Sequence, residues 1–310
     1  MEKLVMFQIV ANQMVIMFIL IMVGYVIRRV KLIDHNGSKA LSNVLLLLVN
    51  PVVILNSFLT VEYDAAMVRN FLWTILFALI SHILGIAASK IMLPGKEPDT
   101  MIEHYSAVYS NCGFMGIPLV QSILGAKGVF YMTAYLVVFN FLTWTHGLII
   151  ITGDTSPKQL ARGLRSPVMF TMLAGIIFYF LKLQVPANVE TAFTYIAGMN
   201  TPLGMFVAGA ALAETNPFTA LKKWRVYMVA AAKLFIMPLL AMLVMLIFHP
   251  ADAVYYTVIV ASASPVATTC TMLAMRYDRN YHYASQLYVF TTLLSMLTIP
   301  SVVALAEMLH

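Results

Sequence analysis

The sequence predicts an all-α polytopic membrane protein of ten transmembrane helices, arranged as two inverted five-helix repeats. Three observations predict this: apolar runs about twenty residues long, a lopsided distribution of basic residues between alternate loops, and helix-breaking motifs that recur five spans apart. Of 310 residues, 61% are hydrophobic and only 10% are charged, with a mean hydropathy of +0.86. So few charges cannot cover the surface of a soluble protein of this length.

The spans are expected near 8–28, 38–59, 69–92, 101–124 and 128–152, then 166–184, 189–213, 225–248, 253–275 and 283–308. Each approaches the length that crosses roughly 30 Å of hydrocarbon. The first run reaches full spanning length without a small-residue cleavage site, so it reads as a helix and not as a cleavable signal peptide. The connections are short, leaving no room for an inserted soluble domain. Residues 1–160 form the first repeat and 161–310 the second.

Basic residues set the expected orientation. Loops after odd-numbered spans hold Arg28, Arg29, Lys31, Lys39, Lys90, Lys96, Lys158, Arg162, Arg165, Lys222, Lys223, Arg225, Arg276 and Arg279. The opposite side holds Lys3, Arg69, Lys127 and Lys182, while Lys233 falls inside a span. Fourteen against four places the basic loops in the cytoplasm and both termini outside, as an even number of spans requires. The net charge of +6 is thus a topology signal, and no basic patch points to nucleic acid. Cys112 and Cys270 lie inside the fourth and ninth spans, fit no metal spacing, and read as small packing residues.

Five spans per half force the second half to be inverted. Span two carries Asn50-Pro51 in "VNPVVILNSFL", and span seven carries Asn200, Thr201 and Pro202 in "MNTPLGMFVAGA". Span four carries "NCGFMGIPLV" with Pro118, and span nine "ASASPVATTCT" with Pro265. Inverted repeats built around interrupted helices characterise secondary transporters. Pro118 has no N–H and frees the Phe114 carbonyl; Pro265, preceded by Ser264, does the same to Ala261. Gly113 and Gly116 let the intervening backbone extend. Unpaired backbone at mid-membrane survives where it lines a cavity or finds other partners. The amides of Leu119, Val120, Val266 and Ala267 are therefore expected to be free. If spans four and nine cross, two positive half-helix ends meet near the midplane, a place suited to an anion such as a carboxylate. The competing reading is a pair of proline kinks with no ligand.

At these residues the chain resembles the auxin efflux carrier family, in its bacterial branch of malate permease-like transporters. The stretches that carry the resemblance are "NCGFMGIP" (111–118) with Leu119, Asn50-Pro51, "NTPLGMFVAGAALAE" (200–214) and "SASPVATTCTMLA" (262–274). The resemblance implies the elevator fold of bile-acid symporters and sodium–proton antiporters. It implies scaffold helices within 8–59 and 166–213, transport-domain helices within 69–152 and 225–308, crossed broken helices four and nine, and a scaffold-mediated homodimer. The plant members have a long central loop. Here that connection is only about residues 153–165, which disfavours auxin itself as substrate.

Candidate substrate-binding residues follow. Asn111 precedes the glycine-rich stretch; its amide can donate and accept, and the matching family position implies substrate contact. It can equally serve the freed carbonyls of its own helix. Thr268, Thr269 and Thr271 can donate to a carboxylate or bond back to their own helix. Asn50 faces the transport domain or caps the Pro51 kink. Gln286 and Asn140 are second-site contacts or helix–helix glue. Gly113, Gly116, Pro118, Ser264 and Pro265 complete the set. Ionisable residues inside spans are expensive: Lys233, about 12 Å beyond Arg225, offsets substrate charge or snorkels. His82 carries a coupling proton or sits neutral in the core. His146 lies nearer the cytoplasmic end.

No Asp or Glu lies at the centre of a span, and Glu103, Glu190, Glu214 and Glu307 fall near ends. That disfavours sodium–proton exchange, which needs a titrating carboxylate at mid-membrane. No nucleotide-binding motif occurs, so ATP is not the expected driving force and no cofactor or metal is expected. The expectation is a secondary transporter of a small organic anion, a mono- or dicarboxylate such as malate, in a bacterial inner membrane. The rivals are a sodium-coupled symporter of the bile-acid kind, a substrate-sensing receptor, and an intramembrane enzyme using His146 and the serines near the breaks, for which no catalytic pairing exists in the sequence.

Overall fold

The computed structural model of the chain describes residues 5–95, 97–156, 167–183, 185–215 and 222–310. Lys3, Lys96, Lys158, Arg162, Arg165, most of the 153–165 connection and both ends of the expected span 166–184 lie outside the described residues. The described chain is helical apart from one isolated antiparallel bridge. Its elements are α1 (Val5–Arg29), α2 (His35–Leu59), α3 (Ala65–Met92), α4 (Thr100–Val108), α5 (Cys112–Thr152) and α6 (Pro167–Phe180). They continue as α7 (Ala187–Glu214), α8 (Trp224–Phe248), α9 (Asp252–Ala263), α10 (Thr268–Arg276) and α11 (Tyr281–Leu309). Seven of these, α1, α2, α3, α5, α7, α8 and α11, are long and apolar enough to cross a membrane. Met169–Phe180 and Asp252–Ala263 are shorter apolar helices. The protein is an all-α polytopic membrane protein.

Local chemistry sets the helix ends. Asp34 caps α2 by accepting from the Gly37 N–H at 2.7 Å, and Asp64 caps α3 from Ala66 at 3.0 Å. Arg28 and Arg29 occupy the last turn of α1, where the helix dipole favours cations. Within α5 the chain kinks at Gly125, whose φ of 62° and ψ of −147° lie outside the range of an L side chain. The 41 residues of α5 thereby divide into two arms.

The prolines do something other than expected. The stretches Leu45–Val49, Cys112–Gly116 and Ala232–Ile236 are π turns, each ending just before a proline: Pro51, Pro118 and Pro238. An extra residue in the turn lets a helix absorb a proline without breaking. Pro118 therefore bulges α5, and the interruption lies earlier, at Tyr109–Asn111. The second interruption, between α9 and α10, does contain Ser264 and Pro265.

Alternate layers pack closely. α1 runs along the Asn200–Glu214 part of α7, and the Asn50–Leu59 part of α2 lies against α6 and Ala187–Gly198. A Cβ on Gly209 would overlap the Ile21 carbonyl, so the approach of α1 and α7 depends on small residues, as van der Waals packing in lipid requires. α3, α5, α8, α9 and α11 pack on one another around the interruptions. Large apolar side chains such as Ile19, Leu72, Ile83, Phe170, Leu243 and Leu297 face outward. Near one end of the molecule Glu103 is buried and gripped by Arg225, whose Nε lies 2.8 Å from both carboxylate oxygens. The Tyr283 hydroxyl donates to the same carboxylate at 2.8 Å. This network ties α4, α8 and α11 together.

Candidate functional site

The two interruptions lie side by side. The Asn111 N–H donates to the Pro265 carbonyl at 2.7 Å, and the Ala267 N–H donates to the Tyr109 carbonyl at 3.0 Å. These bonds make the antiparallel bridge between Ser110 and Val266. Short extended segments, each with a helix ending before it and another beginning after it, thus lie antiparallel to one another in the protein core. The pairing resolves how unpaired backbone survives there: each interruption supplies the other's hydrogen bonds.

Several amides expected to be free are occupied or displaced. Ala267 is used in the bridge, and the Val266 N–H donates to Thr291 Oγ1 at 3.2 Å. Leu119 and Val120 are fully buried beyond the π turn. The helix starts that lack upstream carbonyls are instead at Cys112 and Thr268. Nor is the Phe114 carbonyl the one that Pro118 leaves over. In the π register Ile117 bonds to Cys112, so the next amide, that of residue 118, would have served Gly113. The Gly113 carbonyl is taken by the Asn200 side-chain Nδ2 at 3.1 Å.

A cavity of about 260 Å³ lies against these helix starts. It is lined by Asn50, Asn111, Gly113, Asn140, Thr268 and Thr269, all expected from the sequence, and by Ser110, Asn43, Thr143, Trp144 and Arg276. Asn111 is 4% exposed, and its Nδ2 has no hydrogen-bond partner. The Asn50 side-chain oxygen is likewise buried and unpartnered. Thr269 Oγ1 lies 2.9 Å from the Tyr105 hydroxyl, and Asn140 Nδ2 donates to its own helix at Leu136, 2.8 Å away. A wider cavity of about 580 Å³ adjoins, sharing Asn43, Leu46, Phe114, Thr268, Met272 and Arg276 and reaching His35, Lys39 and Glu214. Thr271 lines that second space.

Other candidates sit behind the cavity wall. Gly116 packs against Met132, Cys112 and Ser264; Pro118 is buried; Ser264 Oγ donates back to the Val260 carbonyl at 2.9 Å. Pro265 contributes its carbonyl to the bridge, and Gln286 is not among the residues lining this cavity. Lys233 is fully buried, and its Nζ donates to Ser110 Oγ at 2.5 Å and to the Ser262 carbonyl at 2.9 Å. It does not snorkel. An ammonium there meets the C-terminal end of α9, where the dipole favours a cation. His82 is fully buried; its Nδ1 lies 2.7 Å from the Ala78 carbonyl and its ring lies beside Tyr135 and Tyr109. His146 Nδ1 lies 2.9 Å from the Tyr109 hydroxyl.

Sequence reasoning missed Ser110, Asn200 and Arg276 as site residues. Ser110 was visible beside Asn111. Arg276 read only as a topology charge, and the Asn200 partner lies 87 residues away.

The profile of the membrane transport protein family matches residues 9–160 and 154–303. The protein belongs to this family. The resemblance to auxin efflux carriers is thereby borne out. An "Uncharacterized transporter" of Methanothermobacter thermautotrophicus is 22% identical over 292 residues, covering 91% of this chain and 93% of the relative. A "Putative malonate transporter" of Rhizobium meliloti is 23% identical over 300 residues, covering 91% of each chain. The protein is thus a multi-pass member of a transporter family, and that membership points away from catalysis.

Proposed function

We propose that the protein is a secondary transporter that carries a small organic anion, a mono- or dicarboxylate such as malate, across a bacterial inner membrane. The carboxylate binds in the cavity beside the crossing of the two interrupted helices. The observation that carries this reading is Asn111, a residue on the wall of a cavity shared with two helix starts, whose buried Nδ2 has no hydrogen-bond partner. A buried polar group left unpaired costs free energy that an incoming acceptor recovers. Free amides and positive dipole ends at Cys112 and Thr268 favour an anion at the same place. No acidic side chain lines the cavity among the described residues, and Lys233 stands one hydroxyl behind it. A relative named as a malonate transporter agrees with a carboxylate cargo.

In this reading the chain makes ten crossings as two inverted repeats, 1–160 and 161–310, with basic loops cytoplasmic and both termini outside. Helices within 8–59 and 166–213 form a scaffold that pairs in a homodimer. Helices within 69–152 and 225–308 move as an elevator carrying the site. The packing of α1 with α7 and of α2 with α6, beside a second group around the crossing that α1 also touches through α11 and α5, supports that division.

The test is uptake of radiolabelled malate into proteoliposomes, with malonate, succinate, lactate and taurocholate as competitors and with sodium present or absent. Saturable uptake blocked by carboxylates supports the proposal. Sodium-dependent uptake of the steroid alone points to a bile-acid type symporter, and binding without uptake to a receptor.

A further inference from the structure

We propose that Arg276 is a second anion-binding pole of the cavity, and that it makes the carrier selective for short dicarboxylates over monocarboxylates. This rests on the crossing being a carboxylate site, and it names a residue and a substrate class that the crossing alone does not.

Arg276 is the only charged side chain among the residues lining the inner cavity, and it also lines the wider one. It therefore stands at the junction between the buried site and the larger space leading to it. Arg276 is exposed and, like Arg29, Arg69 and Arg279, has no carboxylate partner among the described residues, so its guanidinium is available to an incoming anion. Its guanidinium lies 5.9 Å from the Tyr277 ring centroid, beside an aromatic face rather than an acid. Asn111, whose buried Nδ2 has no partner, lines the same cavity.

The spacing suits two carboxylates on one short chain. Arg276 ends the helix that Thr268 begins, so their Cα atoms are about 12 Å apart along the axis. Helical side chains lean toward the N-terminus, so Arg276 reaches back along that length. A three- or four-carbon diacid has carboxylate carbons about 2.5–4 Å apart and, with a hydrogen bond of about 3 Å at each end, needs about 8–10 Å, which lies within that axial separation. A guanidinium also presents a fork that takes a carboxylate through two parallel hydrogen bonds. A monocarboxylate fills the Asn111 pole and leaves this fork empty.

The experiment compares wild type, Arg276→Gln and Arg276→Lys in proteoliposomes, reading how well malonate, succinate, lactate and propionate each compete with labelled malate. The ratio between diacids and monoacids is internal to each variant, so differences in reconstituted amount cancel. Wild type should prefer diacids, and Arg276→Gln should reduce that preference by about 10- to 100-fold. The loss should appear chiefly in KM for malate, with lactate competition affected far less and Arg276→Lys intermediate. Thermal stabilisation of the purified variants by malate against lactate gives the same comparison without transport. An unchanged diacid preference in Arg276→Gln overturns the proposal, as does a wild type that carries carboxylates without preferring diacids. In that second case the carboxylate site stands. If wild type carries no carboxylate, the reading of the crossing itself has failed.

Discussion

The Asn200 side-chain amide donates to the Gly113 backbone carbonyl across 3.1 Å, replacing the amide that Pro118 lacks. A leucine at 200 would leave that carbonyl buried and unpaired, at a cost of about 1–3 kcal/mol. Pro118→Ala restores an N–H in the register that reaches Gly113. Thermal unfolding in detergent should therefore show Asn200→Leu costing less in the Pro118→Ala background than alone. Strict additivity of the two changes would show that the carbonyl has another partner.

The Glu103–Arg225 pair predicts a stability effect away from the cavity. Glu103 retains 2% of its side-chain exposure and Arg225 23%, so the acid is the fully desolvated member. Glu103→Gln removes one partner of a buried pair, which costs about 3 kcal/mol. For a chain of this size that lowers Tm by roughly 5–10 °C. Cargo selectivity should not move. An unchanged Tm would mean that the pair contributes nothing net.

Lys233 predicts an electrostatic effect without direct contact. Lys233 meets the cavity through Ser110, whose Oγ accepts from its Nζ and which lines the wall. Lys233→Met keeps the length of the stem while removing the donor to Ser110 and Ser262. The KM for a carboxylate should rise by about tenfold or more, read in proteoliposomes at matched protein amounts. A KM equal to wild type would confine Lys233 to holding the end of α9.

Much of this was legible in the sequence for identifiable reasons. Hydropathy located the helical segments because lipid demands uninterrupted apolar length. Gly, Pro and Asn marked the region of the crossing because backbone that leaves a helix in lipid needs special residues. The position of the interruption was not legible, since a π turn of one extra residue absorbs Pro118 and moves the opening to Tyr109–Asn111. Nor could sequence pair Lys233 with Ser110, 123 residues away. Such contacts depend on how helices rotate against one another, and the apolar stripes of these helices are too uniform to fix that rotation. Arg276 was hidden for another reason: a basic residue at the end of a span has an adequate explanation in topology alone.

The central claim is that the unpartnered Asn111 amide awaits a carboxylate. Its most direct test is counterflow of labelled malate in proteoliposomes of wild type and Asn111→Ala, both checked for folding by thermal unfolding. Wild type should exchange malate saturably, and Asn111→Ala should lose about tenfold or more in KM while keeping its Tm, since no hydrogen bond to that Nδ2 is given up in the empty protein. Equal counterflow by both proteins would contradict the account and move the binding site away from the crossing.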